Sequence, residues 1–107
     1  MADFNAPTGQ LFRKKPMTVQ AMQWDGTMAN AGAIVEWIEM LNVGEDKIKF
    51  LETNDTPNKL GPLIELNTNQ GRTWAEPGDW VVWGTHNDVY PCSDEVFKDV
   101  FEPLVTV

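Results

Sequence analysis

PGDWVVWGTHNDVYPCSDEVFKDVFEPL, running from Pro77 to Leu104, holds two turn signals, two candidate strands and a candidate helix in 28 residues. Pro77-Gly78 makes a turn, and Asp79 to Thr85 then reads as a strand because aromatic and β-branched residues fill it between turn-forming neighbours. Asn87-Asp88 sits at a bend into Val89-Tyr90, so the two segments form a hairpin, which Pro91 closes because it has no ladder donor. Ser93 caps a helix that runs to Glu102. Asp94 and Glu95 favour the positive end of its dipole, and Val96, Phe97, Val100 and Phe101 form a stripe to bury until Pro103 stops it.

Nearer the N-terminus, RKKPMTVQAMQWDGT (Arg13 to Thr27) places Pro16 at the entry to a strand from Thr18 to Trp24, which Asp25-Gly26 ends. Asn30 to Asn42 is a helix: Ile34, Ile38 and Leu41 recur at helical spacing, Trp37 widens the stripe, and Thr27 or Asn30 caps it. Gly44 stands where a left-handed residue ends such a helix. Lys47 to Glu52 alternates as a half-buried strand, Thr53 to Gly61 is a polar loop, and Leu63 to Asn67 with Gly71 to Ala75 flank Thr68-Asn69-Gln70 as a second hairpin. Residues 1–12 lack periodicity and read as a flexible N-terminal arm with Phe4 as an anchor, leaving residues 13–107 as the folded domain. The expected fold is a single α+β domain, a mostly antiparallel twisted sheet of four to six strands packed against two helices, with a small, partly open barrel as the alternative.

The 107 residues, 42% of them hydrophobic, suit one core that hides about two thirds of the unfolded chain's surface. Sixteen acidic residues against eight basic ones give a net charge of −8, which opposes nonspecific binding to nucleic-acid phosphates. No run of roughly 18 apolar residues suits a membrane span, and the opening MADFNAPTGQLF lacks the charged and apolar regions of a secretion signal, so a soluble cytosolic protein is expected. Cys92 is the single cysteine, which rules out a disulfide or a multi-cysteine zinc site within one chain.

The two blocks, RKKP leading to QWDG and PGDW leading to YPC and a Phe-bearing helix, resemble those of a family of small phage and prophage proteins. In that family Arg-Lys-Lys-Pro opens a strand ending near Trp-Asp-Gly, and Pro-Gly-Asp-Trp opens a hairpin ending at Tyr-Pro-Cys. The resemblance implies phage origin and fold; it assigns no reaction and no ligand.

Trp80 to Trp83 sends apolar side chains to both faces of its strand. Either this is a central strand covered on both sides, or one indole, Trp83 beside the turn, is exposed as a binding anchor. The expected binding surface is Trp74 and Trp83 at the centre with Arg72, His86 and Asp88 at the rim. His86 and Cys92 could pair as imidazole and thiol, but Asp94 and Glu95 oppose a thiolate there; a packed or exposed cysteine is the plainer reading. Asp25 and Asp79 read as turn locks, and Arg13-Lys14-Lys15 as either an anion grip or an edge guard. No catalytic constellation, cofactor motif or metal set emerges, so an enzyme is the last choice. The leading expectation is a non-enzymatic phage accessory protein in the host cytoplasm that binds a host or phage protein, with no membrane association and with homo-oligomers allowed. A virion or assembly component, and a protein sequestering a nucleotide or metabolite, are the alternatives.

Overall fold

The computed structural model describes residues 9–13, 15–51 and 62–104. The expected Thr53–Gly61 loop and most of the expected arm lie outside the described residues. The chain forms an α+β domain in the order β1 (Gln20–Gln23), α1 (Met28–Leu41), β2 (Ile48–Leu51), β3 (Leu63–Thr68), β4 (Gly71–Ala75), β5 (Trp80–Trp83), β6 (Val89–Cys92) and α2 (Asp94–Val100). Instead of one sheet there are two three-stranded antiparallel sheets, ordered β1-β5-β6 and β2-β3-β4.

Strand β1 is shorter than Thr18 to Trp24 because its partner β5 offers only the four residues that pair Gln20 with Trp83 through Gln23 with Trp80. Beyond the ladder, the Trp24 N–H still donates to the Asp79 carbonyl at 2.9 Å, and the Gly78 N–H donates to the Trp24 carbonyl at 2.7 Å. The turn into α1 is tightly bonded. Asp25 Oδ1 accepts from the Thr27 N–H at 2.8 Å and from the Thr27 hydroxyl at 2.6 Å, and the Thr27 hydroxyl oxygen accepts from the Asn30 N–H at 3.1 Å. Thr27 is therefore the cap, and Asp25 is the turn lock expected of it. At the other end Asn42, at φ 53°, takes the left-handed position expected of Gly44, two residues sooner, since asparagine tolerates that conformation.

One core joins α1, the inner face of the β2-β3-β4 sheet and one face of β1-β5-β6. Trp24, Ile34, Ile64, Leu66, Val81 and Val89 are buried in it. Trp37 packs half-buried against this cluster, as its helical spacing predicts. The second helix departs from expectation. It is shorter than Ser93–Glu102, and Val96 and Val100 are 52% and 56% exposed instead of buried. The physical reason is its partner: α2 meets the outer face of β5, where Phe97 stacks on Trp80 with ring centroids 4.0 Å apart and planes 6° apart. A single stacked pair covers only part of a four-residue apolar stripe. Strand β6 also continues through Pro91 to Cys92, with Pro91 opposite Val81; β6 is an edge, so the absent N–H costs no ladder bond there.

Candidate functional site

The expected binding residues separate into two groups. Arg72 and Trp74 lie on β4, and register places Trp74 opposite Glu65 and Glu65 opposite Lys49, on the sheet face away from the core. Arg72 Nε donates to Glu65 Oε1 at 2.9 Å, while Trp74 keeps 37% of its surface exposed. Asp88 Oδ1 accepts from the Asn69 N–H at 2.8 Å, which ties the tip of the β5–β6 hairpin to the tip of the β3–β4 hairpin. His86 is exposed at that tip. Arg72, Trp74, His86 and Asp88 thus sit on two joined hairpins.

Trp83 does not join them. Its indole packs against the core, and its Nε1 is buried without a hydrogen-bond acceptor among the described residues. The exposed-anchor expectation for Trp83 is corrected: β5 is the central strand of its sheet, with both faces covered, so its second indole goes inward. Trp80, on the opposite face, donates from Nε1 to Asp94 Oδ1 at 2.9 Å.

The β5–β6 connection, Thr85 to Asp88, is a tight turn in which His86 (φ 59°, ψ 29°) and Asn87 (φ 56°) are both left-handed and the Asp88 N–H donates to the Thr85 carbonyl at 3.2 Å. These are the dihedrals of a type I′ turn, whose preferred residues are Asn-Gly. Replacing His86 by Asn and Asn87 by Gly together should raise stability by about 1 kcal/mol, because a left-handed backbone strains an ordinary side chain and not glycine. Calorimetry should find the melting temperature higher by roughly 4–8 °C. A lower value would mean that the His86 side chain is itself holding the turn.

Sequence reasoning missed a second surface. The Lys15–Val19 segment and α2 flank a groove of about 720 Å³ floored by Ala21, Trp80 and Phe97, with Val100, Phe101 and Leu104 on its far wall. Met17, Val100 and Leu104 are 38%, 56% and 78% exposed there. The signal lies in the apolar stripe of α2, whose helical spacing predicts burial of all four residues. At the start of this helix the Trp80 hydrogen bond, then that of Lys98 at 2.9 Å, holds the Asp94 carboxyl below its ordinary value of 3.8. A lowered folded-state pKa contributes stability that is present above the unfolded value and lost as pH falls through the folded one. The melting-temperature gap between wild type and Asp94→Asn should therefore be largest at neutral pH and shrink as pH falls well below 3.8. A gap independent of pH would remove the carboxylate charge from the account.

The thiol of Cys92 is pushed up by burial and by the charge of Asp79, the opposite of what an activated nucleophile needs. Among the described residues no cluster of three or more His, Cys, Asp or Glu side chains could hold a metal ion, and no helix is long and apolar enough to cross a membrane. No family model matches the chain, and no curated protein or solved structure is detectably similar to it.

Proposed function

We propose that this is a non-enzymatic accessory protein of phage origin that binds a host or phage protein in the host cytoplasm, using the outer face of β3 and β4. The observation that carries the binding reading is Trp74, a partly exposed indole beside the Arg72–Glu65 ion pair on a sheet face turned away from the core. Trp and Arg are the residues on which interface energy concentrates, and an aromatic centre with a polar rim is a common interface design. The phage reading is supported by the resemblance of the RKKP–QWDG and PGDW–YPC blocks.

The test is to recover the protein that co-purifies with the wild type from host or infected cells and titrate it against variants. Trp74→Ala should weaken that binding by more than about 2 kcal/mol and leave the melting temperature nearly unchanged. Equal affinity in a folded Trp74→Ala protein would dismiss this face. A virion or assembly role is a second reading, favoured by one observation: Leu11 and Phe12 are 100% and 87% exposed. Presence of the chain in purified particles would decide for it.

A further inference from the structure

None of the seven residues of α2 is buried, whereas α1 carries Ala31, Ile34 and Ile38 into the core. The aromatic stack and the side-chain hydrogen bond that hold α2 to the sheet both fall on one residue, Trp80: Phe97 lies flat on its ring, and Asp94 accepts from its Nε1 at 2.9 Å. Among the described residues no backbone hydrogen bond crosses from α2 to a strand, since the Phe97 and Phe101 N–H groups donate to the Ser93 and Phe97 carbonyls. We propose that α2 is a strap that releases from β5 as one unit while α1 and both sheets stay folded, and that its release uncovers Trp80.

Three features argue for a separate opening. The first is independence from the core: neither Trp80 nor Phe97 belongs to the cluster around Trp24, so parting them opens no cavity there. Proteins open locally in units, and segments with few buried apolar contacts open first. The second is length. Helices shorter than about 12 residues hold poorly on their own, so the seven residues of α2 unwind once the stack parts, and the whole strap lets go together. The third is connection. Strand β6 ends at Cys92 and α2 begins at Asp94, which leaves Ser93 as the single residue between them and the natural pivot. Release also changes the groove. Phe97, Val100 and Phe101 belong to the strap side, while Ala21 and Trp80 stay with the sheet, so the trough of about 720 Å³ becomes an open face with an indole on it.

This surface is separate from the Trp74 face, so either proposal can fail alone. Hydrogen exchange of the full chain, followed amide by amide across a urea series, reads the release directly. The α2 amides, with that of Phe101, should exchange about a hundredfold or more faster than those of Ile34 and Ile38. Their rates should also depend less steeply on urea, because that slope follows the surface exposed in the opening. Phe97→Ala should speed α2 exchange about tenfold, the loss expected of an aromatic stack. The sign is decisive. Alanine favours helix more than phenylalanine does, so amides that exchange only by fraying, with the strap closed, would slow in this variant, and slowing overturns the release. Phe97→Leu, which also favours helix and removes the stack, takes its place if Phe97→Ala leaves α1 unprotected. The wild type tests the idea without any variant: α2 amides that share the rate and urea slope of Ile34 overturn it, since strap and core would then open as one unit.

Discussion

Trp24→Ala should lose about 3–5 kcal/mol of stability, a large share of the 5–15 kcal/mol that holds a domain of this kind together. Trp24 is fully buried and meets the Phe50 ring edge to face, with centroids 6.1 Å apart and planes at 84°. Its Nε1 donates to the Thr27 carbonyl at 2.9 Å, and its backbone bonds to both Gly78 and Asp79. The side chain thus joins the start of α1 to strand β2, and the backbone of the same residue joins both to the turn before β5. Truncation leaves a cavity that fixed backbone on several sides cannot close. Trp24→Phe separates the contributions: it keeps most of the ring and gives up the indole bond, so it should cost less than Ala by at least about 1 kcal/mol. Urea denaturation of both variants measures this, and a Trp24→Ala protein as stable as wild type would dissolve the proposed core.

The second large effect is at Trp83. Trp83→Ala should destabilise the domain by about 3 kcal/mol, the lower end of the range for aromatic truncation, because the residue is half-buried against the core. Trp83→Phe should cost much less, since it also removes an indole N–H that is buried without an acceptor among the described residues, a group whose desolvation costs about 1–3 kcal/mol. Paired denaturation curves decide between packing and hydrogen bonding as its contribution. If Phe proves as damaging as Ala, an ordered water is bonding Nε1.

The elements were legible wherever a local rule acts alone. Ile34 and Ile38 mark the buried stripe of α1, Thr27 caps it, and Gly71 to Ala75 pairs with β3 across a two-residue turn. What escaped were properties that belong to pairs of distant elements. Nothing local in Trp80-Val81-Val82-Trp83 says which indole meets the core and which meets α2; that is settled when Gln20 pairs with Trp83 and Phe97 stacks on Trp80. For the same reason the stripe of α2 looked like core. Amphipathicity reveals that a face is apolar, and it does not reveal how much apolar surface is waiting opposite. Of the expected site, Arg72, Trp74, His86 and Asp88 fall on linked hairpins because turn residues and strand alternation are local, whereas Trp83 depended on the layer order of the fold.

The pairing of β1 with β5 also sets a clock. Gln20 waits for Trp83, about 60 residues later in the chain, before its strand has a neighbour. At 5–20 residues per second that interval is roughly 3–12 s of synthesis, during which β1 has no ladder partner. The β3–β4 hairpin has its whole ladder within a dozen residues and closes early, while the sheet containing β1 is completed last by a contact of long sequence separation, the kind that slows folding most. The newly made chain therefore passes through a stage with one finished sheet and one open strand, and its exposure to chaperones and to mispairing is concentrated at Gln20–Gln23.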